Sequence, residues 1–303
     1  MESNWQLARK RPLLEKRARI TQSIRAFFVA QGFLEVETPQ RIPANAPEVH
    51  IDALPAGDWF LQTSPELAMK RLLAAGYEKI FQLCHCWRAG ERGARHLPEY
   101  TMLEWYRTGV DYRQLMADCE SLLTYLCPEG ALTWQGEEIN LLPPWQRLTV
   151  KDAFAHYSPL PLAEALKTER FDEIVGLEIE PRLPKNRPLF LIEYPVQHAA
   201  LARVKTDDPS VAERFELFLG GMELANAFSE LTDPAEQRMR FNSDELQRRN
   251  MGKSPYPPPE NFLRDLATLP AAAGIALGVD RLVMLLSDAN RIDDIVPFLP
   301  EDL

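Results

Sequence analysis

The chain has 303 residues, 46% apolar and 26% charged, enough for a large core and too evenly mixed for a disordered or fibrous protein. Its net charge of −10 argues against a protein that lives by non-specific grip on nucleic acid. The N-terminus (MESNWQLARKRPLLEKRARI) is charged where a signal peptide is apolar, and the longest uncharged apolar stretch, around Pro270 to Val279, is about half of a bilayer span. With four cysteines at 84, 86, 119 and 127 and no C-x-x-C pair, a soluble cytoplasmic protein with reduced thiols and no membrane segment is expected.

The first expected element is a helix from about Arg11 to Gln31, with Ile20, Ile24, Phe27 and Phe28 on one face and Gly32 as its stop. A strand follows over Phe33 to Glu37, ended by Thr38-Pro39. Two further strands, Lys79 to Arg88 and Tyr100 to Arg107, flank a polar loop from Ala89 to Glu99. The stretch from about Glu129 to Arg187 carries the fewest motifs and reads as a helical insertion or small subdomain within one domain spanning 1–303. Glu213 to Leu231 reads as a hairpin whose arms, to Leu219 and from Met222, meet at Gly220-Gly221. Gly274 to Gly278 then reads as a buried strand that runs into a helix with Val279, Leu282, Val283 and Leu286 on its apolar face. Hairpin-joined strands with helices before and after give an α+β fold with an antiparallel sheet.

Strand parity brings the chemistry-bearing residues together. Tyr100, Met102, Glu104 and Tyr106 share one face of their strand; Gln82, Cys84, Cys86 and Arg88 share one face of theirs. A two-residue turn pairs 218 with 223, so Glu216 and Glu223 project together. Neighbouring carboxylates are costly without a cation between them, and Mg²⁺ prefers such oxygen ligands. Asn226, Phe228 and Glu230 have the other parity and join that face only through a bulge near Ala225. Arg281, in the first helical turn after Gly278, suits a phosphate, and with Arg88 it forms two clamps on a polyphosphate. Cys84-His85-Cys86 splits thiols and imidazole between two faces, with no second cluster to complete a zinc site. There is no P-loop, no strand-G-x-G-x-x-G-helix and no nucleophile elbow.

These pieces together resemble a class II aminoacyl-tRNA synthetase catalytic domain. The helix with GFLEVETP (Gly32 to Pro39) resembles motif 1, which implies a homodimer. FQLCHCWRAGERGARHLPEYTMLEW (Phe81 to Trp105) resembles motif 2, and GIALGVDRLVMLL (Gly274 to Leu286) resembles motif 3. TSPELAMKRLL (Thr63 to Leu73), RFELFLGGMELANAFSELTDPAEQ (Arg214 to Gln237) and TMLEWY are similar to the lysyl branch. The first helix begins too early to leave room for that branch's anticodon-binding domain, which is the pattern of the elongation factor P lysine ligase family.

The resemblance implies ATP-dependent activation of lysine or (R)-β-lysine as an adenylate and its transfer to a lysine side chain of elongation factor P. Arg88 and Arg281 would be the catalytic arginines, on the α- and γ-phosphates. Glu91, His96, Tyr100 (stacked on adenine), Glu223, Leu224 and Gly278 would complete the ATP site, with Mg²⁺ on Glu216 and Glu223. Ser64 and Glu66 would meet the backbone end of the amino acid, and Glu104, Tyr106, Asn226 and Glu230 its distal ammonium. Ala276 stands where the synthetases usually have glycine; its methyl would favour a differently shaped lysine by about 1–3 kcal/mol. The chain departs from the branch at Arg88-Ala89-Gly90-Glu91, usually R-N-E, and at His96-Leu97-Pro98-Glu99-Tyr100, usually H-N-P-E-F. Leu97 cannot replace the asparagine's hydrogen bonds, and Tyr100 would keep only the stacking. The rival readings are a truncated enzyme that charges tRNA, disfavoured by the net charge and Ala276, and a silent paralogue that binds lysine or nucleotide.

Overall fold

In the computed structural model, which describes residues 3–199 and 201–303, the alternating segments assemble into one eight-stranded sheet. Its strands are β1 (Leu34–Glu35), β2 (Lys79–Trp87), β3 (Glu99–Thr108), β4 (Gln146–Thr149), β5 (Leu189–Ile192), β6 (Arg214–Leu219), β7 (Met222–Ser229) and β8 (Ala272–Gly278). They lie in the order β1-β2-β3-β8-β7-β6-β5-β4. The pairs from β2 through to β5 are antiparallel, as the hairpins require; the two edge pairs, β1 with β2 and β4 with β5, are parallel.

Helices α1 (Ser3–Ala30), α2 (Glu66–Ala74), α3 (Tyr112–Leu126), α4 (Val150–Tyr157), α5 (Pro234–Asn250), α6 (Glu260–Asp265) and α7 (Val279–Ser287) cover the sheet. On one face α1, α3 and α7 enclose the main core, where Ile20, Ile24, Phe27 and Phe28 are buried as their spacing predicts. Phe28 stacks on Phe81 of β2 and tilts against Trp105 of β3, both at 5.0 Å between ring centroids. On the other face α2, α5 and α6 close one end around Met69, Leu73, Phe241 and Phe262, and α4 with two single-turn helices closes the other around Phe154, Phe171 and Phe218. The sheet surface between these two caps is left open to form the site. Among the described residues no helix is long and apolar enough to cross a membrane.

Three local outcomes differ from the sequence expectation. Helix α1 begins well before Arg11 and carries Pro12 inside it. The first strand contracts to Leu34–Glu35 because the chain peels away: the Thr38 N–H is taken by the Gln82 side chain instead of a neighbouring strand. The 129–187 stretch holds strands as well as helices, since Ala131–Trp134 and Glu137–Asn140 form a hairpin and β4 joins the main sheet.

The β6–β7 hairpin follows its sequence closely. Gly220 and Gly221 both have positive φ, +60° and +75°, the conformation a two-residue turn of this kind demands. Glu216 pairs with Asn226, Leu217 with Ala225 and Phe218 with Glu223, so Leu224 is an extra residue without a partner. This is the bulge that the parity of Asn226 required, one position from where it was expected.

Candidate active site

Side chains form rows across the sheet. Gln82, Glu104, Ala276, Asn226 and Glu216 are successive cross-strand partners on β2, β3, β8, β7 and β6. Beside them, Tyr106, Gly274, Phe228 and Arg214 make a second row. All but Gln82 line a cleft of about 320 Å³. Of the sequence-predicted residues, Ser64, Glu66, Arg88, Glu91, His96, Tyr100, Glu104, Tyr106, Glu216, Glu223, Leu224, Asn226, Ala276, Gly278 and Arg281 all meet there.

One end of the cleft is acidic. Glu104 is fully buried and accepts hydrogen bonds from the Ser64 hydroxyl (2.6 Å) and the Tyr106 hydroxyl (2.7 Å). Burial, reinforced by the Glu66 carboxylate, pushes its carboxyl up to about 8. Ser64 in turn accepts the Glu66 N–H at 3.0 Å, which ties the start of α2 to the same network. Tyr106 lies directly over Gly274: a Cβ there would come within 2.1 Å of the ring, so only glycine leaves it room. Two residues further along the strand, Ala276 stands between Glu104 and Asn226.

The other end is basic. The Arg88 guanidinium sits 5.3 Å above the Tyr100 ring, with Glu91 3.7 Å away. Arg281 projects from the first turn of α7, donates to the Glu223 carbonyl at 2.7 Å and contacts the His96 ring. Burial and Arg281 both lower the His96 pKa, which keeps its ring neutral and able to accept that contact. Gly278 stands at the N-terminus of α7, where a Cβ would touch the Arg281 side chain at 3.8 Å and the Leu224 carbonyl at 3.9 Å. A helix N-terminus that lines the cleft with two arginines is suited to a polyphosphate.

Glu216 and Glu223 face each other across the bulge. Burial and the Glu223 charge push the Glu216 carboxyl up to about 7, although Arg214 donates to it at 2.8 Å. A carboxylate pair under this repulsion fits a divalent cation, and Mg²⁺ needs only one or two protein oxygens when phosphates and waters supply the rest.

Two details go beyond the expectation. Glu230 lies on the cleft face, with one oxygen beside the Cβ position of Gly274, but it is fully buried there, with Lys70 of α2 2.5 Å from its carboxylate. Parity alone could not reveal this cover, since the lysine arrives from a helix packed on that face. Tyr100 does more than present a ring, because its hydroxyl donates to the Thr63 carbonyl at 3.0 Å. Leu97, which cannot replace an asparagine, is instead buried in the main core, and Glu91 supplies the acid beside Arg88.

Sequence reasoning missed Glu48, Lys70, Arg214 and Asp280. Arg214 was within reach of it, lying two residues before Glu216 on the same strand face; it also donates to Asn226 Oδ1 at 3.0 Å and the His198 carbonyl at 2.7 Å. Glu48 sits on an irregular loop with no periodic signal. Its carbonyl accepts from the buried Arg248 at 2.8 Å, and burial pushes its carboxyl up to about 7.

With the cleft described, comparison with known proteins is informative. The profile of the tRNA synthetases class II (D, K and N) family matches residues 5–302. The chain belongs to this family. A protein of Salmonella gallinarum (strain 287/91 / NCTC 13346) named elongation factor P–(R)-β-lysine ligase is 38% identical, over 98% of this chain and 97% of its own. One of Vibrio atlanticus (strain LGP32) with the same name is also 38% identical, over 98% of each chain.

Proposed function

We propose that the chain is a single catalytic domain that activates lysine or (R)-β-lysine with ATP and transfers it to a lysine side chain of elongation factor P. The observation that carries this reading is the single row joining Glu104, Ala276, Asn226 and Glu216. It sets an acidic pocket, sized for an amino acid with a distal ammonium, directly against a basic cleft suited to a polyphosphate. The names of the 38%-identical relatives support the same acceptor.

In the first step a carboxylate oxygen of the amino acid attacks the α-phosphorus of ATP, and pyrophosphate leaves in line. Ser64 and Glu66 hold the amino end, and Glu104 with Tyr106 and Asn226 holds the distal ammonium, so that the carboxylate points along the cleft. Arg88 meets the charge that spreads over the α-phosphate, Arg281 holds the terminal phosphate, and Tyr100 with His96 bounds the adenine. Glu216 and Glu223 would hold Mg²⁺, which when bound offsets polyphosphate charge. Positioning and electrostatics supply most of the acceleration. In the second step a deprotonated acceptor amine attacks the activated carbonyl, an amide C–N bond forms, and AMP leaves with the bonding electrons of the C–O bond.

The exposed apolar side chains Val29, Leu34 and Tyr125, at the end of α1, the sheet edge and α3, support a homodimer through this face. Four free thiols support a reducing, cytoplasmic setting. The test offers labelled lysine, ATP and Mg²⁺ to the protein with elongation factor P and total tRNA together. A one-lysyl mass gain on the factor with bare tRNA is expected; charged tRNA with unmodified factor would overturn the proposal.

A further inference from the structure

Lys70 is wholly buried behind the acidic end of the cleft, an unusual place for an ammonium. It lies one helical turn after Glu66 on α2, pairs with that carboxylate, and reaches Glu230 at 2.5 Å. The third acid of the cluster is Glu104, held by hydroxyls alone. Glu230 Oε1 has no hydrogen-bond donor among the described residues, and lies 2.5 Å from the point a Cβ on Gly274 would occupy. That oxygen therefore faces the cleft floor at the one position in its row without a side chain.

Three carboxyl groups and one ammonium leave two carboxyls that this cluster does not match, and their ionised forms call for cations from outside it. Buried charges of this kind are tolerated only when something of opposite sign completes them. Resting on the amino-acid-activating reading above, we propose that Lys70 is a positioning residue that sets substrate class. It cancels one of three clustered carboxylates, so that the pocket is balanced by a substrate with two ammonium groups, a diamino acid, and not by a monoamino acid.

The test measures binding of lysine and of norleucine, its uncharged-side-chain analogue, to the full chain with α,β-methylene-ATP present. Wild type is expected to select lysine. Glu230→Gln leaves one unmatched charge, and its selectivity should fall at least about tenfold. Lys70→Met leaves three, and its lysine affinity should fall by a similar factor. The double variant returns the count to two and should recover most of either loss, whereas independent defects would multiply. Melting temperature and nucleotide binding are read in parallel. A Lys70→Met chain that fails to fold should be rescued by the added Glu230→Gln. A double variant no better than the worse single one, in folding or in lysine binding, would overturn the inference. Wild type that binds nucleotide but neither amino acid would instead overturn the functional reading on which it rests.

Discussion

Asp280 holds Arg17 against the strand that carries Tyr100 and Glu104. One oxygen of its buried carboxylate pairs with the Arg17 guanidinium, and the other accepts the Thr101 N–H at 2.8 Å. Arg17 also donates to the Thr101 hydroxyl at 2.8 Å. A single carboxylate thus locks α1, β3 and the first turn of α7, the three segments that resemble the family's motifs. Asp280→Ala strands a guanidinium and an N–H, and should cost about 2–4 kcal/mol of stability. Since Arg281 is the next residue, the ATP KM should rise as well. Thermal melting and ATP–pyrophosphate exchange check both; a variant with unaltered melting would show that the lock contributes nothing.

Glu104→Gln should remove the charge proposed to meet the distal ammonium while leaving a side chain of the same shape. A loss of about 3–5 kcal/mol in lysine recognition, roughly 10²–10⁴-fold in kcat/KM, is expected. Binding of nucleotide alone should be unaffected, because Glu104 lies at the opposite end of the cleft from Arg88 and Arg281. Isothermal calorimetry with each ligand separately reads the difference.

The pH dependence follows from the same group. Burial raises the folded-state Glu104 carboxyl to about 8 and that of Glu230 likewise to about 8, against an unfolded value near 4.3. The ligand-free fold binds these protons more tightly than the unfolded chain, so its stability should decline as pH rises from about 4.3 through 8. On the proposed reading lysine binds the ionised form of Glu104, so its affinity should climb over the upper part of that window, with proton release. Melting curves at a series of pH values with and without lysine test the sign. A ligand-free protein that grows more stable between pH 5 and 8 would contradict it.

Two neighbouring small residues on β8 should respond oppositely. Gly274→Ala drives a methyl into the Tyr106 ring and toward Glu230, and should raise the lysine KM at least about tenfold. Ala276→Gly opens the floor between Glu104 and Asn226 and should shift the ratio of kcat/KM for α- and β-lysine by about 1–3 kcal/mol, with little loss of ATP turnover. Exchange assays with both lysines measure the two effects.

Alternation made much of the site readable in advance. The residues whose parity was read on β3 and on the β6–β7 hairpin, Tyr100, Met102, Glu104, Tyr106, Glu216, Glu223, Asn226 and Phe228, all line the cleft. Asn226 signalled the bulge because its parity conflicted with that of Glu223. What escaped was set by contacts between elements far apart in sequence. Lys70 stands four residues after Glu66 with no mark of burial in the sequence, and only the docking of α2 on the sheet encloses it with Glu230. Arg248 looks like one of several arginines on a charged helix, yet it fills the space behind the Glu48–Asp52 loop. The first strand shortened because a side chain, Gln82, outcompeted the backbone for Thr38.

The unpaired Leu224 has a bearing on which changes of length this hairpin tolerates. Before it, odd-numbered Glu223 looks into the cleft; after it, even-numbered Asn226 and Phe228 do, while Ala225 and Ala227 pack under the helices. The strand therefore carries two alternations out of phase, spliced at one residue. Deleting that residue would leave every later side chain chemically intact and facing the wrong way, with alanines in the cleft and an asparagine in the core. At this point in the chain it is the residue count, more than the identity of any side chain, that keeps nucleotide and amino acid on a common surface.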